Sequence, residues 1–255
     1  MTELPRIAEQ FRAARRNREL AVLEGVHAVK HALRFGAGLS AMVGTDADEL
    51  DRLAALLAPD LRGRFAAGLR VVSPDTFSQL APQTPRTGVI AIAKRPRVDL
   101  GRLLADRARR PIVLLEDPRN LANIGACVRA AAAADVAGVL STGARDPWQA
   151  DALRGSAGLH FALPVSRIEG TSFHDRPLLA VDPAGTPFAP ARMPPRAVLA
   201  FGTERYGISG QLLARADARV SIPMRPGVSS LNLATSVAAV LFAWRLAGDE
   251  PATRG

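Results

Sequence analysis

The spacing of apolar residues in the first part of the chain changes repeatedly between a strand-like and a helix-like period. Short apolar runs predict strands, whereas apolar positions three and four residues apart predict amphipathic helices. Strands are predicted at residues 21–25, 39–43, 69–72 and 88–93, and helices at 11–20, 26–35, 48–57 and 74–80. This alternation indicates a small α/β domain.

The pattern is interrupted at Lys94-Arg95-Pro96-Arg97, where charge and a proline are typical of a linker between domains. Beyond it, strands are predicted at 111–115, 138–141, 161–165, 177–181, 197–202 and 219–222, and helices at 123–134 and 230–247. Strands that alternate with helices favour a parallel sheet covered on both faces, with ligands at the carboxyl ends of the strands. We therefore predict two α/β domains, at residues 1–97 and 98–255.

The chain also has a strong positive charge. The 255-residue chain has a formal charge of +9, and Lys30 and Lys94 are its only lysines, so almost all the positive charge is on arginine. A guanidinium group binds phosphate oxygens in pairs, and a positive field attracts polyanions, so a nucleic-acid partner is the first hypothesis. Coding bias and solubility would explain the same charge, and the motifs must distinguish between the two.

Several protein classes are excluded by the composition. No apolar stretch reaches the roughly 18 to 20 residues that a membrane-spanning helix requires. The arginine-rich start of the chain lacks the apolar run of a secretory signal. Cys127 is the only cysteine, which excludes an internal disulfide and a thiolate metal cluster within one chain. We expect a soluble, cytoplasmic protein with no membrane association and no metal site.

The first cluster of candidate functional residues follows the strand predicted at 111–115. It reads Glu-Asp-Pro-Arg-Asn-Leu-Ala-Asn-Ile-Gly-Ala-Cys-Val-Arg over residues 116–129. Gly125 and Arg129 are four residues apart, so on a helix they share a face, and the missing side chain of Gly125 leaves room beside the guanidinium group. In the alternative interpretation, Asn123 caps the helix and Arg129 is a surface charge.

The second cluster lies where the strand predicted at 197–202 ends. Gly202 and Gly207 flank the carboxylate of Glu204. Glycines let the backbone approach a ligand closely, although a simple turn would have a similar sequence.

The third cluster begins at the strand predicted at 219–222. It combines Val-Ser-Ile-Pro-Met at residues 220–224 with Ser-Leu-Asn at 230–232. Either Ser230 or Asn232 would also serve as the cap of the helix that follows.

Taken together, these clusters resemble the three sequence motifs of the SpoU (TrmH-like) family of RNA 2'-O-ribose methyltransferases. The resembling patterns are Asn-x-Gly-x-x-x-Arg, Phe-Gly-x-Glu-x-x-Gly, and Ile-Pro-Met with Ser-Leu-Asn, over about residues 111–247. The resemblance implies a C-terminal parallel-sheet α/β domain with a deep trefoil knot, the SPOUT fold. The N-terminal part is similar to the family's RNA substrate-binding domain, which has an L30e-like fold.

The resemblance also implies a cofactor, S-adenosylmethionine, and a set of residues around it. The cofactor would be bound by Gly202, Gly207, Ile222, Met224 and Leu231. The catalytic set would comprise Asn123, Arg129, Glu204, Ser230 and Asn232. The family assigns Arg129 as the base that accepts the hydroxyl proton. Free arginine keeps its proton up to a pKa of about 12 or higher, so a phosphate of the substrate is an alternative acceptor.

The partners implied by the resemblance are RNA and a second copy of the chain, paired through the knotted domain. Ribosomal RNA is preferred to transfer RNA, because a separate N-terminal domain of this type commonly accompanies that substrate in the family. Three alternatives stay open: a transfer-RNA enzyme, a knotted enzyme that modifies a base nitrogen, and a catalytically silent RNA-binding protein. A nucleotide-dependent dehydrogenase is disfavoured, because no Gly-x-Gly-x-x-Gly follows a predicted strand.

Overall fold

The computed structural model describes residues 3–170, 172–203 and 205–249. The chain divides into two compact units. Unit 1 comprises Met1–Arg97 with Trp148–Ala162, and unit 2 comprises Val98–Pro147 with Leu163–Gly255. The division after Arg97 coincides with the predicted linker. The segment at 148–162, which the sequence analysis assigned to the second domain, groups instead with unit 1.

Unit 1 is built on a four-stranded sheet. Its elements up to the linker are α1 (Glu3–Arg16), β1 (Leu20–Glu24), α2 (Val26–Arg34), β2 (Leu39–Gly44), α3 (Ala47–Leu57), α4 (Arg62–Gly68), β3 (Leu69–Val71), α5 (Pro74–Ser78) and β4 (Val89–Lys94). The strand order is β1-β4-β2-β3; β4 is antiparallel to both neighbours, and β2 is parallel to β3. The α/β character predicted for this region is confirmed, whereas its likeness to L30e stays a prediction.

Helix α1 begins earlier in the chain than the helix predicted at residues 11–20. It begins at Glu3 and not at Phe11. Ile7, Phe11 and Ala14 are buried together in one hydrophobic cluster with the sheet. Their spacing of three and four residues places them on one face, so the apolar stripe starts well before the predicted boundary.

Unit 2 is built on a six-stranded sheet in which every described pair of neighbours is parallel. The elements from the linker onward are α6 (Leu100–Ala105), β5 (Ile112–Leu115), α7 (Leu121–Ala133), β6 (Gly138–Ser141), α8 (Ala150–Gly155, in unit 1), β7 (Val165–Arg167), β8 (Leu178–Pro187), β9 (Val198–Phe201), α9 (Gly210–Leu213), β10 (Ala218–Ser221) and α10 (Leu233–Asp249). The strand order is β10-β8-β9-β5-β6-β7.

The parallel sheet of unit 2 confirms the prediction for this half of the chain. Strands β5 and β9 are buried at every position, as expected for strands covered on both faces. Because all the strands run in one direction, their carboxyl ends lie at one edge of the sheet. The trefoil knot implied by the resemblance stays a prediction.

The strand predicted at 161–165 is wrong in position. Residues Leu159–Phe161 form a short 3-10 helix, and β7 starts only at Val165. Gly158 adopts a left-handed conformation with φ +79°, and its Cα lies so close to Ala28 that a Cβ atom would be 2.4 Å from the Ala28 carbonyl oxygen. This turn packs against the helix α2, a tertiary contact that local sequence periodicity does not encode.

The described helices include none that is long and apolar enough to cross a bilayer.

Candidate functional site

A cavity of about 370 Å³ lies at the carboxyl edge of the unit 2 sheet. Its walls come from the middle of β8 and from the segments that follow β9 and β10. The lining residues are Val181, Asp182, Pro183, Phe201, Gly202, Thr203, Arg205, Gly207, Ile222, Met224, Ser229, Ser230, Leu231, Leu233 and Ser236. All five residues predicted to bind a cofactor, and Ser230 of the predicted catalytic set, are therefore on the wall of one cavity.

The two glycines of the second cluster form a tight hairpin at the end of β9. The N–H of Thr203 donates to the carbonyl of Gly207, and the N–H of Gly207 donates back, each at 3.0 Å. A Cβ atom at Gly202 would lie 2.0 Å from the carbonyl carbon of Gly207, which excludes any side chain there. Gly207 has φ +66°, in the left-handed region that favours glycine. The second cluster therefore does form a turn, as the alternative interpretation held, and this turn shapes the cavity wall.

The part of the wall contributed by β8 was not predicted. The register shows a bulge in β8, because Ala180 pairs with Arg219 while Thr186 pairs with the next residue, Val220. Within this bulge, the carboxylate of Asp182 accepts a hydrogen bond from the N–H of Ala184 at 2.9 Å. The sequence signal is Asp-Pro-Ala-Gly directly after an apolar run, which indicates a turn but gives no position relative to other loops.

The first and third clusters meet through two asparagines. The Nδ2 atom of Asn232 donates to Oδ1 of Asn123 at 3.2 Å. The Oδ1 atom of Asn232 accepts from the N–H of Ala234 at 2.9 Å, so the same side chain caps α10. Among the residues described, the cavity wall does not include Asn123 or Asn232, yet Asn232 lies between two wall residues. The asparagine contact therefore brings the start of α7 to the rim of the cavity.

The cap of α7 is Asn120 and not Asn123. The Asn120 side chain accepts from the N–H groups of Ala122 at 2.9 Å and Asn123 at 3.2 Å. The interpretation of Asn123 as a helix cap is therefore wrong, and its side chain contacts Asn232 instead. The interpretation of Ser230 as the cap of α10 is also wrong, because Asn232 has that role.

Arg129 follows Asn123 on the same helix, and its side chain is exposed to solvent. Gly125, four residues before it, is buried. Arg129 is not among the residues described as lining the cavity. Glu204, the remaining member of the predicted catalytic set, lies outside the described residues.

Sequence reasoning gave no role to Glu116, which connects the first and second clusters. One carboxylate oxygen of Glu116 accepts from the N–H of Ser209 at 2.7 Å, and the other accepts from the Ser209 hydroxyl at 2.6 Å. Ser209 in turn caps α9 by accepting from the N–H of Leu212. Two charge-assisted hydrogen bonds therefore hold the loop after β9 to the end of β5.

Comparison with known proteins is consistent with this arrangement. Residues 110–242 match the model of the SpoU rRNA Methylase family. An uncharacterized tRNA/rRNA methyltransferase of Mycobacterium tuberculosis is 32% identical over 240 residues, which cover 88% of this chain and 80% of that protein. The 23S rRNA (adenosine(1067)-2'-O)-methyltransferase of Streptomyces laurentii is 28% identical over 252 residues, with 92% and 89% covered. The crystal structure of an RNA 2'-O ribose methyltransferase matches with a TM-score of 0.74 and 28% identity, covering 96% of this chain and 98% of that one.

Proposed function

The chain belongs to the SpoU rRNA methylase family, and on this premise we propose that it transfers a methyl group from S-adenosylmethionine to a ribose 2'-hydroxyl of ribosomal RNA. The observation that carries the proposal is a cavity at the carboxyl edge of the sheet, whose walls come from the bulge of β8 and from the segments that follow β9 and β10. The position agrees with the general placement of ligands in parallel α/β sheets.

The cavity fits a cofactor of this kind. Its volume of about 370 Å³ falls within the range of small-molecule sites. Ile222, Met224 and Leu231 offer apolar surface to an adenine ring, while Gly202 and Gly207 line the same cavity without a side chain. Asp182 adds a carboxylate to the same wall, and a carboxylate suits a ligand that carries positive charge.

The cofactor supplies an electrophilic methyl group on a sulfonium sulfur. In transfer to the ribose oxygen, the methyl carbon would exchange its bond to sulfur for a bond to oxygen, the sulfur would keep the bonding electrons, and the hydroxyl proton would move to an acceptor. The protein must hold the hydroxyl in line with the carbon–sulfur bond, and such alignment accounts for much of the acceleration in reactions of this type.

In this proposal, Arg129 and the asparagine pair hold the ribose at the rim of the cavity. Arg129 is exposed and donates hydrogen bonds from a planar fork, so it binds a substrate phosphate and the charge that develops on the ribose oxygen. Asn123 and Asn232 are held in contact at 3.2 Å and fix the start of α7 against the loop that contains Ser230. The proton acceptor is a phosphate of the substrate, which requires no deprotonated arginine.

Ribosomal RNA is the proposed substrate, and unit 1 is proposed to bind it. The 23S rRNA 2'-O-methyltransferases of Streptomyces laurentii and Bacillus subtilis are among the relatives with matching sequences. The formal charge of +9 supports a polyanionic partner for the whole chain. Transfer RNA is the alternative substrate, and the two are separated by locating the modified nucleotide.

A second copy of the chain is proposed to pair through unit 2. Phe242 and Leu246 are four residues apart on α10, so they share a face, and they remain 39% and 66% exposed. The opposite side of α10 packs against α7 and buries Val237 and Leu241. A helix that is apolar on both sides is usually covered on both sides, which favours a homodimer.

The cofactor site is tested by blocking the cavity at Leu231. This side chain lines the cavity but is 39% exposed, so a substitution there should leave folding intact. We expect the wild-type protein to bind S-adenosylmethionine in a calorimetric titration, and Leu231→Glu to weaken this binding at least about tenfold. Leu56→Glu, at a position in unit 1 that is 78% exposed, serves as the matched control and should bind normally. Wild-type affinity in Leu231→Glu would contradict the assignment of the cavity, and a wild-type protein that binds no cofactor would indicate a silent RNA-binding protein.

A further inference from the structure

Large apolar side chains are concentrated at the rim of the cavity. Of the eight such side chains that are exposed in the described part of the chain, three border it: Tyr206 at 75% exposure, Val228 at 48% and Leu231 at 39%. Leu231 lines the cavity, Tyr206 stands between two lining residues, and Val228 directly precedes another. Single exposed apolar residues are common, but a group of them around a concave site indicates a ligand-binding surface.

Tyr206 is presented on a hydrogen-bonded stem. The paired N–H and carbonyl groups of Thr203 and Gly207 close the hairpin, and the Tyr206 N–H donates to the Thr203 hydroxyl at 3.0 Å. Directly after the hairpin, Ile208 is buried in the core of unit 2, and Ser209 is held by the carboxylate of Glu116. An aromatic ring on such a stem loses little conformational freedom when a ligand binds to it.

The ring is accompanied by a guanidinium group. The Cζ atom of Arg205 lies 5.3 Å from the centroid of the Tyr206 ring, within the distance of a cation–π contact. Arg205 is also on the cavity wall. An exposed aromatic face beside an arginine is the combination that stacks on an unpaired nucleobase and attracts its phosphate.

We propose that Tyr206, supported by Arg205, is a stacking surface for an unpaired nucleobase of the RNA substrate. The inference rests on the proposed function and adds to it the way in which the RNA is held. A base stacked on Tyr206 places its own ribose, or that of a neighbouring nucleotide, at the mouth of the cavity. The surface therefore selects a single-stranded or flipped-out nucleotide, because a base inside a duplex has no free face to offer.

The test compares Tyr206→Ala with Tyr206→Phe in the full-length protein. Binding to deproteinised ribosomal RNA is measured at one fixed salt concentration, since RNA affinity depends strongly on salt. We expect Tyr206→Ala to weaken RNA binding about tenfold, as the loss of one base stack does, and Tyr206→Phe to restore most of the affinity. S-adenosylmethionine binding, measured by calorimetry, should change less than about twofold in Tyr206→Ala. Tyr206→Phe, which removes only the hydroxyl and keeps the ring, is the matched control for truncation at the same position.

The possible outcomes separate this inference from the proposed function. Undiminished RNA binding by Tyr206→Ala would overturn the inference alone. An equal loss in Tyr206→Phe would also overturn it, because the hydroxyl and not the ring would then be the binding group. Loss of cofactor binding in Tyr206→Ala would assign the side chain to the cavity instead of the RNA. A wild-type protein that binds cofactor but no ribosomal RNA would overturn both the inference and the proposed substrate.

Discussion

Among single residues, Arg129 is the one on which the proposed methyl transfer depends most. The position is exposed, so substitution should not disturb the core of unit 2. We expect Arg129→Ala to reduce methyl transfer to ribosomal RNA at least about a hundredfold, the usual size of a lost catalytic contact. Arg129→Lys, which keeps the charge but loses the planar fork, should retain an intermediate rate. Initial rates with labelled cofactor measure the effect.

Unchanged cofactor binding and an unchanged circular dichroism spectrum would show that the fold of the Arg129→Ala variant is intact. A wild-type rate of methyl transfer in this variant would refute the role of Arg129.

Glu116 is the second residue whose contribution can be measured separately. Its two hydrogen bonds to Ser209, at 2.7 and 2.6 Å, hold the loop that forms one wall of the cavity. Glu116→Gln removes the charge and one acceptor, so we expect KM for S-adenosylmethionine to rise about fivefold to tenfold with a smaller change in kcat. Ser209→Ala should have little additional effect in the Glu116→Gln background, because the two side chains act together.

The control for Glu116 is Glu169→Gln, which removes the same charge from an exposed residue that follows β7, the outermost strand, two strands away from β5. Equal changes in KM in the two variants would show that net charge, and not the contact with Ser209, is responsible. Additive effects of Glu116→Gln and Ser209→Ala would contradict a shared role.

The roles of single residues were predictable from the sequence only in part. The pattern Asn-x-Gly-x-x-x-Arg selected Asn123, and the structure places Asn123 against Asn232 while Asn120 caps the helix. Glu116 was visible in the first cluster but had no assigned role, because its partner Ser209 is 93 positions away in sequence. Local patterns identify which residue types are unusual, whereas a hydrogen bond between two loops depends on the order of strands in the sheet.

At the scale of elements, the fully buried strands were predictable and most of the short helices were not. Strands β5 and β9 are continuous apolar runs, and their predicted bounds agree with the structure to within one residue at each end. Helices α6, α8 and α9 have six, six and four residues, which is too short for a periodic apolar pattern to appear. The strand predicted at 161–165 was misplaced for another reason, because the conformation of residues 158–161 depends on packing against α2.

The outer face of α10 carries the prediction at this scale. If Phe242 and Leu246 are covered by a second copy of the chain, placing carboxylates there should be incompatible with the interface, because charges lose hydration when buried. We expect the wild-type protein to be a dimer at micromolar concentration, and the Phe242→Glu, Leu246→Glu variant to be a folded monomer. Light scattering coupled to size-exclusion chromatography measures both masses. Leu56→Glu, on unit 1, should remain a dimer, and a monomeric wild-type protein would contradict the proposal.

At the scale of the whole molecule, sequence alone indicated two α/β parts joined near Arg97, and the structure divides at that residue. The membership of residues 148–162 in unit 1 was not predictable, because it depends on contacts such as the ion pair between Arg154 and the buried Glu24, at 2.6 Å. Neither the hydrophobic pattern nor the charge identifies a partner across 130 positions. The parallel sheet and the cavity at its edge, in contrast, follow from the order of strands, helices and glycine-rich turns.

We propose that the cavity formed by the bulge of β8 and the segments after β9 and β10 presents a ribose hydroxyl to a methyl donor. This proposal is tested by incubating the protein with labelled S-adenosylmethionine and total RNA, and by locating the labelled nucleotide and atom by mass spectrometry. We expect one labelled nucleotide in ribosomal RNA, with the methyl group on the ribose 2'-oxygen. A methyl group on a base nitrogen, or no transfer by a protein that binds both cofactor and RNA, would contradict it.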